Sequence, residues 1–359
     1  MNRGTQAQID PTAWQHNVQC VREWAPQARV WAVVKANAYG HGVERAAQAL
    51  SSADGYAVAT LGEAIELRRL QPHHPILLLE GVNRAEQLAD VVACQLQTVV
   101  HCQTQLDQIR QSTAQRLDPH PLVVWLKVDT GMHRLGFAPS DLASARTLLA
   151  SCPTVQLEGV MTHLACADAL DQPEPTLQQL ALFDACVRPG DRLSIANSAA
   201  VIGWPQTHND WVRPGIMLYG SSPFAERNGV DLGLRPVMTL TAPVLAVRTV
   251  LAGEAIGYGH VWRAERDSRI ATVAIGYGDG YPRQAPNGTP IWLNGQTVPL
   301  AGRVSMDMLM IDVTDLDRVS VGDMTELWGK RLSVDEVARA IGTIGYELLT
   351  RVTARVERV

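Results

Sequence analysis

Lys35 is placed to act as an amine nucleophile. In Trp31-Ala32-Val33-Val34-Lys35-Ala36-Asn37-Ala38-Tyr39-Gly40-His41-Gly42 it ends a run of apolar residues. An amine leaving an apolar strand is partly desolvated, which lowers its pKa and leaves more of it as free base. Condensation with an aldehyde requires such an amine. Tyr39, read as one helical turn further on, is in reach of an anionic group such as a phosphate. Two later segments offer further anion contacts. Ala196-Asn197-Ser198-Ala199-Ala200 presents the Ser198 hydroxyl. Arg213-Pro214-Gly215-Ile216 presents a cation and backbone N–H groups that a glycine leaves open to close approach. Lys127, in Trp125-Leu126-Lys127-Val128-Asp129, stands inside another apolar run, where an unpaired ammonium is strongly disfavoured.

The elements that must position these groups repeat one rhythm. Short apolar runs occur at Val30–Val34, Tyr56–Ala59, Ile76–Leu79, Gln97–Val100, Leu122–Val128, Leu157–Met161, Arg192–Ile195 and Trp211–Arg213. Runs of this length without alternation suit parallel strands covered on both faces. The stretches between them read as helices, among them Gly42–Leu50, Asp141–Ala150 and one opened by a capping box at Thr60-Leu61-Gly62-Glu63 and running through Leu70. Strand and helix units of this number and order predict an α/β fold with an N-terminal (β/α)8 barrel of the TIM type. No G-x-G-x-x-G follows the first run, which disfavours an open dinucleotide-binding sheet. In such a barrel the site lies at the C-terminal ends of the strands. Lys35, Glu80, His101, Asp129 to Arg134, His163, Asn197, Ser198, Arg213 and Gly215 all follow directly on the runs.

After Ser222 the texture changes. Strand-like runs crowd together at Thr239–Val250, Arg269–Ile275, Pro290–Leu293, Thr297–Leu300 and Met308–Val313, and Leu293-Asn294-Gly295-Gln296 reads as a type I′ hairpin. A helix capped by Ser333 and Glu336, a short helix at Ile344–Leu349 and a strand through Val352–Val359 complete the expectation. Residues 1–222 are therefore read as the barrel domain and 223–359 as a mostly β domain.

The chain has 359 residues, 46% hydrophobic and 19% charged, an ordinary globular balance. Its net charge of −5, with no basic block, does not favour nucleic acid as a partner. No apolar run approaches the ~18–20 residues of a membrane span. The first ten residues lack the apolar core of a secretory signal, so a cytoplasmic location is expected. The six cysteines are irregularly spaced without C-x-x-C, which predicts reduced, mostly buried thiols and no metal site.

From Ile9 to Val359 the chain resembles the bacterial alanine racemases, which use pyridoxal 5′-phosphate (PLP). The resemblance is carried by Ala32–Gly42, Tyr56–Glu63, Trp125–Phe137, Gly159–Ala167, Ala196–Ala200, Trp211–Gly220, Gly257–Gly259, Ala274–Arg283, Gly302–Asp307 and Gly342–Arg358, in the family's order. It implies interconversion of L- and D-alanine, supplying D-alanine for peptidoglycan or serving alanine breakdown. It also implies a homodimer whose subunits share their active sites, the second domain of each completing the site of the other. Lys35 would hold PLP covalently and act as base on one face of Cα, and Tyr258 of the partner subunit would act on the other. Tyr39, Asn197, Ser198, Gly215, Ile216 and Tyr346 would hold the cofactor, mainly at its phosphate. Arg213 would face the pyridine nitrogen, with His163 hydrogen-bonded to it, and Arg134 the phenolic oxygen and the substrate. Met306 and Asp307 would bind the substrate carboxylate, Tyr277 and Arg283 would stand at the channel mouth, and Lys127 would be carbamylated. Two competing readings are disfavoured. A decarboxylase of this architecture would carry an acid where Arg213 stands, and a non-catalytic PLP carrier would lack the second domain.

Overall fold

A computed structural model describes residues 3–113 and 120–359. Met1 and Asn2, part of the segment read as no secretory signal, lie outside the described residues. Contacts divide the described residues into two units. The described residues of Val18–Ala38 and 43–218 form one, and those of 3–17, Tyr39–Gly42 and Tyr219–Val359 form the other. The sequence reading draws its single boundary after residue 222.

The chain enters through β1 (Gln6–Ile9), a strand of the second unit that the sequence reading does not include. The first unit is a closed parallel barrel of β2 (Arg29–Val33), β3 (Gly55–Val58), β4 (Ile76–Leu78), β5 (Gln97–Val100), β6 (Leu122–Lys127), β7 (Val155–Met161), β8 (Leu193–Ser194) and β9 (Trp211–Val212). All eight runs read from the sequence are strands here, and β9 closes the ring on β2 through Arg29↔Trp211 and Val30↔Val212. Every residue of β3 and β4 is buried, and the first half of β7 is the least covered, as expected for strands mostly covered by side chains inside and helices outside. Trp31 and Trp211 stack at 4.1 Å between ring centroids. Trp125 is fully buried and donates its indole N–H to Gln97 Oε1 at 2.7 Å. The helix Leu61–Leu70 starts at the expected capping box, with Thr60 and Glu63 exchanging hydrogen bonds.

The second unit is built on β10 (Met238–Val250), which changes partners along its length. Its first half pairs antiparallel with β1 and with β17 (Met324–Trp328), and its second half with β13 (Ser268–Val273). The register shifts at Leu240/Thr241 and between Val244 and Ala246, so Pro243, which has no N–H to give, falls between two irregularities. Between these strands, β11 (Ala255–Ile256) and β12 (Trp262–Arg263) form a separate ribbon. The hairpin of β14 (Pro290–Leu293) and β15 (Gln296–Pro299) turns at Asn294 (φ 47°) and Gly295 (φ 97°), the two positive angles of the predicted turn. β16 (Leu309–Asp312) pairs with β13, and the closing β18 (Glu357–Arg358) runs parallel to β1.

Three expectations are corrected. The last strand is only Glu357–Arg358, because the Val356 amide closes a turn on Thr353 O (3.2 Å). The Ser333 hydroxyl accepts from the Asp335 amide (3.2 Å) instead of forming a reciprocal box with Glu336. The thiols are all free, but only Cys20 and Cys152 are fully buried.

Candidate active site

Lys35 follows β2 directly, but the backbone after it is not the right-handed helical turn read from the sequence. Ala36, Asn37 and Ala38 have φ of 53°, 53° and 52°, and Tyr39 has φ of 50°. Left-handed residues other than glycine cost roughly 1–2 kcal/mol each, so external bonds must hold this segment. The Val43 amide donates to Asn37 Oδ1 (2.8 Å) and the Ala36 amide to Glu63 Oε1 (2.7 Å). The Lys35 ammonium is disfavoured, first by burial and then by Arg134, against the opposing pull of Glu80 and Glu63. Its amine is held below its usual range, as the sequence position requires.

Lys127 ends β6, and its pKa is pushed down to about 8 by burial and by Arg213, Arg134 and Lys35. His163, after β7, lies well below its ordinary value for the same reasons: burial first, then Arg213, Lys127, Arg134 and Lys35. Arg213, Lys127, Arg134 and Lys35 thus all act electrostatically on a buried imidazole that is held toward its neutral form. Arg213, after β9, is buried, which lowers its pKa to about 10. Its guanidinium donates to Ser194 Oγ (2.6 Å), Thr162 O (2.6 Å) and Ile195 O (3.1 Å), and its Nη2 lies 3.5 Å from His163 Nδ1. Those bonds fix the plane of the guanidinium. Arg134 is exposed on the segment after Lys127.

The adjoining rim holds the predicted anion contacts. Asn197 Oδ1 accepts the Ala200 amide (3.0 Å) and so starts the helix Ser198–Gly203. Ser198 Oγ accepts the amides of Gly215 (2.8 Å) and Met217 (3.4 Å), which leaves its own proton to give to a ligand. Gly215 and Ile216 are buried beside it.

The remaining predicted residues belong to the second unit. Tyr39 is buried, stacks on Tyr219 at 4.5 Å and stands 6.1 Å from Tyr346, ring centre to ring centre. Burial raises its hydroxyl pKa, so it remains a phenol. Tyr277 and Met306-Asp307 lie on two loops joined by Tyr277 N→Ser305 O (3.0 Å) and Gly278 N→Met306 O (2.8 Å). The Asp307 carboxylate accepts from Arg355 Nη2 (2.6 Å), a bond that holds it as an anion. Tyr258, 68% exposed, and Met306, 52% exposed, project from the surface of this unit. Arg283 is exposed on a separate segment.

Several site residues escaped sequence reasoning. Ser194 and Thr162 orient Arg213. Gln179 donates to His163 O (3.1 Å) and accepts the Ala165 amide (2.8 Å), fixing the segment that carries His163. Ser194 has a sequence signal, a hydroxyl at the end of an apolar run. Gln179 has a weak one, a polar side chain on the buried face of its helix beside Leu180 and Phe183. Asp279, read as a turn residue, is buried and accepts both oxygens' worth of hydrogen bonds from Arg3 (2.7 Å each). Among the described residues no three His, Cys, Asp or Glu side chains gather as a metal cluster.

Comparison with known proteins gives this geometry a lineage. Residues 9–223 match the family model "Alanine racemase, N-terminal domain" and residues 237–359 match "Alanine racemase, C-terminal domain". The alanine racemase of Vibrio parahaemolyticus is 49% identical over 358 residues, covering 99% of this chain and 98% of that one. The crystal structure of the biosynthetic alanine racemase from Pseudomonas aeruginosa superposes with a TM-score of 0.96 at 48% identity, covering 99% of both chains. That of alanine racemase from Bartonella henselae, with covalently bound pyridoxal phosphate, superposes with a TM-score of 0.91 at 29% identity over 99% of both chains. The barrel, the second β unit and these full-length matches agree: the chain belongs to the alanine racemase family.

Proposed function

We propose that the protein interconverts L- and D-alanine with pyridoxal phosphate bound at the barrel rim. The observation that carries this reading is the gathering of Lys35, Lys127, Arg134 and Arg213 around His163. The residues present fit that cofactor. A phosphate, a phenolate and a substrate carboxylate are all anions, and the rim offers the guanidinium groups of Arg134 and Arg213 together with the unspent proton of Ser198. Lys35 supplies an amine whose charged form burial disfavours.

When bound, pyridoxal phosphate draws electrons away from Cα of an attached amino acid and makes its proton labile. Lys35 Nζ takes or returns that proton on one face. Racemisation needs a second group on the opposite face, since one base alone returns the proton to the side it came from. Tyr258 of a second copy of the chain is assigned that role, which its exposure on the second unit supports. Arg213 is still a cation at neutral pH and would therefore donate to the cofactor's ring nitrogen without protonating it. Ser198, Gly215, Ile216, Asn197, Tyr39 and Tyr346 hold the phosphate end, and Arg134 the phenolic oxygen and the substrate carboxylate. Asp307 is an anion paired with Arg355, so its carboxylate repels that of the substrate. The backbone N–H groups of Met306 and Asp307 are the contacts assigned to it. Tyr277 and Arg283 line the entrance.

The active species in this reading is a cytoplasmic homodimer, with residues 1–222 as the cofactor domain and 223–359 completing the partner's site. Running toward D-alanine it feeds peptidoglycan, and running toward L-alanine it opens breakdown. The test is incubation of PLP-loaded protein with L-alanine in heavy water. D-alanine carrying deuterium at Cα is expected. Exchange at Cα without D-alanine would leave Lys35 as sole base and remove the role given to Tyr258. Neither product would refute alanine as substrate.

A further inference from the structure

The segment that carries Lys35 needs a tether, and one side chain supplies it from far away in sequence. Ala36, Asn37 and Ala38 sit in the left-handed region with φ of 53°, 53° and 52°, and none is glycine. Such backbone persists only where its surroundings over-determine it. Glu63 Oε1 accepts the amide of Ala36, the residue directly after Lys35, at 2.7 Å across 27 residues of sequence. Its other oxygen accepts the amides of Ala59 and Thr60, both at 3.0 Å. The second set is what a capping box requires. The bond to Ala36 is surplus to capping, and it reaches the one amide that adjoins the nucleophile. Glu63 is also one of two carboxylates opposing the loss of charge on Lys35 that burial and Arg134 bring about.

We propose that Glu63 is a positioning residue for Lys35: by clamping the Ala36 amide it fixes the left-handed turn, and with it the direction from which the Lys35 amine meets an aldehyde. This rests on the reading of Lys35 as the amine that takes pyridoxal phosphate. Glu63 does not touch the reacting atoms; it acts through the Ala36 backbone and, through space, on the charge of Lys35.

The test uses the full-length chain freed of cofactor and mixed with pyridoxal phosphate. A C=N bond forms at Lys35 as water leaves, borohydride reduces it, and the labelled Lys35 peptide is followed against time by mass spectrometry. Hydrogen exchange of the peptide containing Ala36 is measured in parallel. Three variants separate positioning from capping. Glu63→Gln has one accepting oxygen and cannot serve both sets of amides. Glu63→Asp keeps the charge but draws both oxygens back by one methylene, so it weakens the Ala36 bond and the cap together, and Thr60→Ala is the control for the cap. Thr60→Ala removes the other half of the cap and leaves the Ala36 bond intact. Labelling is expected to slow roughly tenfold in both Glu63 variants, the scale of one charge-assisted hydrogen bond, with faster exchange at Ala36. Thr60→Ala is expected to lower the melting temperature while labelling at the wild-type rate. Should Glu63→Gln fail to fold, Glu63→Asp carries the test alone. Wild-type labelling and protection in the Glu63 variants would overturn the proposal. Equal slowing in Thr60→Ala would overturn it too, by reducing Glu63 to a cap. No label at Lys35 in the wild type would remove the reading of Lys35, and this inference with it.

Discussion

Lys127 shows most plainly what a single side chain gains and loses at this site. Burial and the cations Arg213, Arg134 and Lys35 bring its pKa to about 8, so near neutral pH an appreciable fraction is free amine. Only a free amine adds carbon dioxide, releasing a proton and becoming a carbamate, and here that exchange would replace repulsion among four cations with attraction. The carbamate fraction should therefore rise as pH climbs through about 8. With labelled bicarbonate, a carbon-13 resonance that grows over this range is expected in the wild type and should vanish in Lys127→Ala; a resonance indifferent to that substitution would refute the assignment. Tyr258→Phe, which deletes only a hydroxyl, should abolish D-alanine formation by several orders of magnitude while Lys35 still binds the cofactor, as read by absorbance and by heavy-water exchange. The barrel-rim candidates were legible as residues because each follows an apolar run, whereas Tyr258, Tyr277, Arg283, Met306, Asp307 and Tyr346 were reached only through the family resemblance. Their charge states were not, since the pKa of His163 depends first on burial and then on four basic groups from three parts of the chain.

The elements show the same division. Barrel strands buried on both faces leave near-continuous apolar runs, so all eight could be read directly. β1 escaped although Ala7 and Ile9 are buried and Gln6 and Gln8 are not. Four residues of alternation are too short to stand out, and the strand's partners are more than two hundred positions away at Leu240 and Met238. The left-handed segment after Lys35 escaped because Ala-Asn-Ala-Tyr has no residue that demands it; the bonds that hold it reach Glu63 and Val43, outside the segment. Packing between elements also gives a prediction. Gly159 lies in β7 where the register with β6 slips, and a Cβ there would collide with Arg192 O and stand 2.5 Å from the Trp125 ring. Gly159→Ala should therefore destabilise the protein by about 1–3 kcal/mol or more through overpacking, seen as a lower urea midpoint with an unchanged slope. A midpoint equal to that of the wild type would show that the barrel wall yields freely there.

For the whole molecule the decisive question is whether one chain can carry a complete site. If Tyr258 serves the partner's Lys35, then Lys35→Ala and Tyr258→Ala proteins are each inactive, yet mixing and reassociating them should restore roughly one working site per mixed dimer. Dilution until the dimer dissociates should abolish the activity again. Failure to restore any turnover under conditions where subunits demonstrably exchange would place the second base within the same chain. The sequence by itself determined the barrel, the change to a β domain and the hairpin at Asn294-Gly295. Burial pattern and turn chemistry are written in neighbouring residues, so local reading suffices for them. The tertiary structure alone decided that β1 joins the sheet of the second unit, that Lys35 is carried on a left-handed turn tied by Glu63, and that four basic groups act electrostatically on a buried His163 held toward its neutral form. Desolvation, electrostatic coupling and long-range hydrogen bonds depend on residues brought together from distant parts of the chain, and no window of sequence contains them.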